Sequence, residues 1–469
     1  MLTGSSSRNN TTNLSLIGPK IEGLRQTFAA GHTKNIAWRI TQLKQIKKLV
    51  VEQQEAILLG LQKDLGRCDM ESWTAELGGV ISEVEHTVKH LKKWMKPRKV
   101  STPVVTQPAS SYVLPEPLGT VLIIGAWNYP ILLALGPLIA AVSAGNCALI
   151  KPSELSPNTS ALIAQQIPKY LDQQAVAVVE GAVDETSELL KHQFDHIIYT
   201  GGELVGKVVM RAAAEFLTPI TLELGGKSPC IVDSNTNLEV TAARIVWSKF
   251  MNAGQTCVAP DYVLVEKCFA PQLIEAIKVK IEAFYSANIS ESNDYGRIVN
   301  GRHFSRLVTY LEGQNIVYGG DNDADSSYIQ PTIVLDPAVD SPLMEQEIFG
   351  PILPIITLEN IQQAVPFVTK RAKPLSLYLY TKDKNFEQVV LKQTSAGMVC
   401  INDGFMFAAN PNLPFGGVGA SGMGAYHGKT GFDNFSHLKT IMKRSFWFDI
   451  PLRYPPFTSS KFTLLKKLL

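Results

Sequence analysis

The sequence predicts an α/β protein with two doubly wound domains, each built on a mostly parallel sheet, and a β-hairpin that leaves the main body. Three observations lead there. From Leu118 onward, strand-like and helix-like runs alternate: "ALIKPSE", "AVAVVEG", "HIIYTGG", "PITLELGG" and "CIVD", then a helix through Lys249. That is the pattern of βα units. A second alternating series runs from "DYVLVEK" to "GMVCIND", through "PTIVLD", "PILPIITLEN" and "LSLYLYT". Finally, 469 residues exceed what one hydrophobic core usually holds.

Along the chain, "MLTGSSSRNNTTNLS" is polar, has no apolar core of a signal peptide, and reads as a flexible tail. Residues 19–96 are helix-patterned, with Leu43, Ile46, Val50, Ile57 and Leu61 at three- and four-residue spacing. "VSTPVVTQPASSYVLPEP", residues 100–117, is β-branched and punctuated by proline, as expected of a hairpin leaving the main body. Residues 121–150 carry no charge, long enough to cross a bilayer. Gly125, Pro130, Gly136, Pro137 and Gly145 interrupt them, so the segment reads instead as a buried strand–helix–strand unit. Beyond residue 418 the chain is rich in Gly and Pro and ends in "SSKFTLLKKLL".

Composition excludes several classes. With 45% apolar and 18% charged residues the chain folds as a globular protein. Its 44 basic and 42 acidic residues leave a net charge of +2, too little to draw in nucleic acid. The basic run "KHLKKWMKPRK" at 89–99 fits a helix showing Lys89, Lys92, Lys93 and Lys96 to solvent. Six scattered cysteines, with no CxxC, argue for free thiols in a reducing compartment. The pairs His86/His90 and His192/His196 lack a metal-binding pattern, so no metal is expected.

Two stretches suggest a dinucleotide. "GGELVG", residues 201–206, lies where a strand turns into a helix, and glycines there let backbone N–H groups approach a phosphate. "IKPSE" ends another strand with Lys151 and Glu154, an acid placed to take both hydroxyls of a ribose. A plain tight βα turn explains the glycines as well.

Cys257, in "FMNAGQTCVAP", then acquires companions: Asn128 in "GAWNYP", Glu223 in "TLELGGKSP" and Glu347 in "EQEIFGP". With "YTGGELVG", "IKPSE", "PFGGVGASGMGAYHG" and "GMGAYHGKTGFDNFSH", these resemble the aldehyde dehydrogenase superfamily over nearly the whole chain, and within it the class 3 branch that includes fatty aldehyde dehydrogenases.

That resemblance implies an aldehyde dehydrogenase-like fold: an NAD-binding domain over 1–223 with the bridging hairpin near 100–117, a catalytic domain over 224–417, and a bridging segment with C-terminal helix over 418–469. It implies Cys257 as nucleophile, with the Asn128 amide and the Cys257 backbone N–H as oxyanion donors. Glu223 is the expected general base, with Glu347 its rival or else a holder of the nicotinamide ribose. Lys151 and Glu154 fall at the adenosine ribose, Gly201, Gly202 and Gly206 at the pyrophosphate helix, and Phe349 at the nicotinamide. Glu154 would repel the 2′-phosphate of NADP, so NAD is preferred and NADP tolerated. Glu203 suits a helix dipole but not a neighbouring pyrophosphate.

The expected activity is NAD(P)-dependent oxidation of apolar medium- or long-chain aldehydes, apocarotenoid ones among them, by a cytoplasmic homodimer with no nucleic-acid partner. Two other readings stand beside it: a CoA-acylating dehydrogenase and a non-catalytic aldehyde-binding protein of the same fold. For the tail 460–469, weak peripheral membrane contact or a gate beside the substrate tunnel stands against a packing helix at a subunit interface.

Overall fold

The computed structural model describes residues 11–468. The chain starts with a helical layer: Ile17–Ala29, Ile36–Glu52, Gln54–Leu65 and Gly78–Trp94. Its apolar spacing becomes a continuous inner face, with Leu43, Ile46, Val50, Ile57 and Leu61 all fully buried. The Asn35 side chain accepts from the Ala37 N–H at 2.8 Å and starts the second of these helices. Within the expected N-terminal tail, residues 1–10 lie outside the described residues. The rest is not loose: the Thr12 N–H donates to the Glu180 carbonyl at 2.9 Å, and the Glu180 N–H returns to Thr12 Oγ1 at 3.0 Å.

The uncharged stretch at 121–150 folds as strand Thr120–Ile124, helix Leu132–Ala144 and strand Cys147–Lys151, nearly all of it buried. Among the described residues no helix is long and apolar enough to cross a membrane. These strands lie in a six-stranded sheet, in the spatial order Val176–Val178, Cys147–Lys151, Thr120–Ile124, His196–Thr200, Ile220–Glu223, Gly422–Met423. The first five are parallel and the last is antiparallel. Chain order reverses between Thr120–Ile124 and His196–Thr200, the place where open α/β sheets form a crevice at the carboxyl ends of their strands.

The second sheet has seven strands, in the order Ile316–Tyr318, Thr332–Leu335, Ile352–Leu358, Tyr262–Glu266, Pro229–Val232, Ser376–Tyr380, Met398–Ile401. Only Ile316–Tyr318 runs antiparallel to its neighbour. Both sheets are wrapped by helices, as continuously apolar strands require.

The hairpin begins slightly earlier than its sequence suggests, pairing Arg98–Val100 with Ala109–Pro117. A third strand that the sequence did not announce, Ser436–Arg444, runs antiparallel to Ala109–Pro117 over nine residue pairs. Residues beyond 418 therefore return to both the six-stranded sheet and the hairpin. The final stretch forms the helix Ser459–Leu468.

Candidate active site

Lys151 and Glu223 end their strands, Gly201 and Gly202 follow strand His196–Thr200, and Asn128, Cys257 and Glu347 lie in loops. Register places Lys151 beside Ile124, Ile124 beside Tyr199, and Thr200 beside Glu223. Asn128 follows the first strand and lies buried in the loop that opens helix Leu132–Ala144. Glu76 fixes the end of that loop, its Oε2 accepting from the N–H groups of Ile131 at 2.7 Å and Leu132 at 3.0 Å. A carboxylate at this position satisfies helix-start donors that otherwise have no partner.

Cys257 lies in the loop after helix Leu238–Phe250. The loop turns sharply because Asn252 and Ala253 are both left-handed, at φ 53° and 49°. Gly254 follows at φ 74°, and a Cβ on it would fall 2.3 Å from the Gly350 carbonyl oxygen. Only glycine lets this loop lie so close to the Phe349–Gly350 backbone. Asn128 and the Cys257 loop are joined directly: Asn128 Nδ2 donates to the Gln255 carbonyl at 3.1 Å, and Asn252 Nδ2 donates to the Asn128 carbonyl at 2.9 Å. An amide has two N–H donors, so this bond orients the second.

Two carboxylates face the Cys257 sulfur. Burial pushes the thiol up to about 12, and the charges of Glu347 and Glu223 push in the same direction. The backbone N–H groups of Cys257 and Val258 pull the other way, stabilising negative charge on the sulfur. Glu223 ends its strand, is buried, and neither carboxylate oxygen has a protein partner. Burial alone raises it well above the usual carboxylate range. Glu347 is raised to about 8, first by burial and then by Asp261, while the Gly226 N–H, Lys227 and Arg306 oppose the rise. Both acids thus hold their protons more tightly than an exposed carboxylate would, a feature of groups suited to general acid–base work.

The Glu347 loop is pinned from three sides. Lys227 pairs with Asp261 and donates to the carbonyls of Leu343 and Gln346, each at 2.9 Å. Asp261 Oδ1 accepts from the Ile348 N–H at 3.0 Å, and Arg306 donates to the Ile348 carbonyl at 2.7 Å. Phe349, at φ 50°, meets Trp127 edge to face with centroids 5.3 Å apart. The sequence reading missed Asp261, Lys227 and Arg306. The first two lie within motifs already quoted, but nothing local shows that they hold another loop.

At the neighbouring strand ends, Lys151 Nζ contacts Glu154 Oε2 at 2.7 Å, with the amine buried and the acid exposed. Gly201 packs so tightly that a Cβ would meet Tyr199 Oη at 2.3 Å, whereas Gly202 has open space around it. Gly202 opens helix Glu203–Ala214 with no side chain capping it, leaving the first-turn N–H groups free for an anion. A Cβ on Gly206 would lie 2.9 Å from Leu224 Cδ2, so this glycine seats the helix against the sheet. Glu203 pairs with Lys207 one turn on, which offsets the charge expected to disfavour a pyrophosphate there. These donors and open glycine fit the phosphates of a dinucleotide.

A family model described as the aldehyde dehydrogenase family matches residues 21–441. The chain belongs to the aldehyde dehydrogenase family. It is 45% identical to aldehyde dehydrogenase family 3 member A2 of Rattus norvegicus, covering 96% of this chain and 93% of that protein. It is 48% identical to aldehyde dehydrogenase family 3 member H1 of Arabidopsis thaliana, covering 95% and 93%. A rat relative named aldehyde dehydrogenase, dimeric NADP-preferring, is 44% identical over 94% of this chain and 98% of its own. Among solved structures, the substrate-bound state of Staphylococcus aureus AldH superposes with a TM-score of 0.94 at 45% identity, covering 96% and 99%. The chain is therefore an aldehyde-oxidising oxidoreductase of a family that uses NAD(P).

All six cysteines are free thiols, and Cys268 is exposed. The His86 and His90 rings lie on one helix with centroids 4.4 Å apart and planes tilted by 40°, while His196 is buried and hydrogen-bonded to Thr221 Oγ1 at 2.9 Å. Among the described residues no group of three or more potential metal ligands occurs.

Proposed function

We propose that the chain oxidises apolar medium- to long-chain aldehydes, apocarotenoid ones included, to carboxylic acids through a thioester on Cys257, preferring NAD to NADP. The observation that carries this reading is the set of groups around one sulfur: Asn128, the Cys257 N–H, and two buried carboxylates with raised proton affinity. Loss of the thiol proton to a neighbouring carboxylate frees the sulfur to add to the aldehyde carbonyl. The Asn128 amide and the Cys257 N–H receive the oxyanion, which collapses to the thioester as hydride leaves. A bound nicotinamide supplies the hydride acceptor. Water then attacks the thioester, losing a proton to a carboxylate, and the acid departs while sulfur is restored.

Glu223 is the better base for that water. Its oxygens have no protein partner, whereas Glu347 is engaged by the Gly226 N–H and flanked by Lys227 and Arg306. Glu347 is free to hold the nicotinamide ribose, with Phe349 packing nearby. Lys151 and Glu154 would hold the adenosine ribose, and Gly201, Gly202 and Gly206 would bring the first helical turn to the pyrophosphate.

The apolar substrate class rests on the class 3 likeness and on the terminal segment. There Phe446, Trp447, Phe448, Phe457, Phe462 and Leu464 are exposed among six basic residues, Lys443, Arg444, Arg453, Lys461, Lys466 and Lys467. Such a surface suits weak contact with an anionic membrane. A homodimer formed through the hairpin sheet fits the relative named dimeric.

The deciding experiment is NADH formation across an aldehyde chain-length series, with Cys257→Ala as control. Activity rising with chain length and lost in the variant is expected; full activity in Cys257→Ala would sink the mechanism. Free CoA in the assay tests the acylating alternative: acyl-CoA in place of free acid would replace hydrolysis as the second half-reaction.

A further inference from the structure

Between the helical layer and the Cys257 loop lies a charged cluster that the chemistry above does not use: Arg67 and Glu76, both buried, and Glu71, part-buried. Arg67 and Glu76 form an ion pair with both side chains fully buried. The Arg67 guanidinium lies over the Tyr129 ring, 5.1 Å from its centroid, and Tyr129 Oη shares a hydrogen bond with Thr256 Oγ1 at 2.6 Å. Thr256 immediately precedes Cys257. Glu71 reaches the same loop from its other end, Oε1 accepting from the Asn252 backbone N–H at 2.8 Å.

We propose that Glu71 is a positioning residue for the oxyanion hole, holding Asn252 so that Asn252 fixes Asn128 beside Cys257. Asn252 is where the loop turns left-handed, and Ala253 continues that turn, a conformation an alanine seldom adopts unless its surroundings impose it. With its backbone N–H anchored on Glu71, Asn252 spends its side-chain amide on the Asn128 carbonyl at 2.9 Å and the Gln255 carbonyl at 3.3 Å. Asn128 closes the triangle by donating to that same Gln255 carbonyl at 3.1 Å. Gln255 is tied down in turn, donating to the Arg297 carbonyl at 2.9 Å and accepting from the Val299 N–H at 3.0 Å. Every link from Glu71 to the oxyanion donor is therefore a direct hydrogen bond. Glu71 lies far from Cys257 in sequence and touches no reacting atom. Its effect passes through the angle at which Asn128 presents its second N–H.

The proposal rests on Asn128 and Cys257 carrying the first half-reaction, and the test separates the two. The pre-steady-state NADH burst of the full-length enzyme is followed with a saturating aldehyde. Absence of any Cys257-dependent burst in the unaltered enzyme would overturn the reading of the function itself. Given a burst, Glu71→Asp keeps the charge opposite Arg67 but draws the carboxylate back by one methylene from Asn252. It is expected to slow the burst about tenfold or more with little change in aldehyde KM. Glu71→Gln, which keeps an acceptor oxygen at full reach, is expected to restore most of that rate. In an Asn128→Ala background Glu71→Asp should add no further loss, because the donor it orients is gone. A burst rate per folded molecule that is unchanged while Tm falls would show a purely structural role and overturn the proposal. So would a loss in Glu71→Asp that adds in full to that of Asn128→Ala. The Glu71→Gln and Glu71→Asp pair keeps the test decisive if Glu71→Ala does not fold.

Discussion

Gly225 and Glu347 are packed so closely that a Cβ on the glycine would fall 2.0 Å from Glu347 Oε2 and 2.3 Å from Oε1. A methyl at residue 225 would force the carboxylate away from the backbone of the strand end that carries Glu223. Gly225→Ala should therefore mimic displacement of Glu347, lowering kcat by about 10²-fold, the usual cost of a misplacement near 1 Å. Steady-state kinetics with circular dichroism as a folding control checks this. A variant with unchanged kcat would mean that Glu347 moves freely or does not matter.

Removing the oxyanion donor should act on the first half-reaction. Asn128→Ala is expected to slow the NADH burst by about 10²–10³-fold, the range seen when one such donor is lost. Glu223→Gln should instead leave the burst and block turnover, because a thioester would accumulate without a base. Mass spectrometry of the quenched enzyme would show the acyl adduct on Cys257.

The two raised carboxyls also predict a pH dependence of stability. Glu347 is lifted from its ordinary 4.5 to about 8, so between those values the folded protein keeps a proton that the unfolded chain releases. The unfolded state then binds fewer protons, and stability must fall as pH rises through this window. The contribution is complete below about 4.5 and lost above about 8. Glu347→Gln should flatten that part of the profile in denaturant titrations. The same ionisation frees a carboxylate beside the thiol, so activity should climb through the window in which stability declines.

Cofactor choice turns on Glu154. Its exposed carboxylate beside Lys151 would repel a 2′-phosphate. Glu154→Gln should raise the NADP-to-NAD ratio of kcat/KM about tenfold, equivalent to about 1.4 kcal/mol. An unchanged ratio would place the discrimination elsewhere.

Deleting residues 460–469 tests the terminal helix. Loss of binding to phosphatidylserine vesicles with short-chain activity intact is expected. If both vesicle partitioning and long-chain activity survive, neither a membrane-facing nor a gating role holds.

The parts of this chain that could be read in advance are those where local pattern and tertiary environment agree. Strand Thr120–Ile124, helix Leu132–Ala144 and strand Cys147–Lys151 were legible because the uncharged run breaks at Gly125 and Gly145 and ends at Lys151, and burial on both faces needs little else. Strand Gly422–Met423 was not, since two residues beginning with glycine carry no β signal and pair only because Leu222 and Glu223 offer an open edge. The left-handed turn at Asn252 and Ala253 was equally hidden, because alanine gives no hint of positive φ. Glu71 sits in a helix-patterned stretch with no local signal that sets it apart. Its bond to Asn252 spans 181 positions, and no periodicity reports a contact at that range.

Gly422 pairs with Glu223, and the Leu224 N–H donates to the Ser421 carbonyl at 3.1 Å. The edge of the strand that ends in Glu223 is thus finished by residues that come much later in the chain. Cys257 leaves the ribosome before the strand that covers the edge beside Glu223. A nascent chain therefore carries the thiol before that edge strand exists, and the sheet beside Glu223 closes only once residue 423 has emerged.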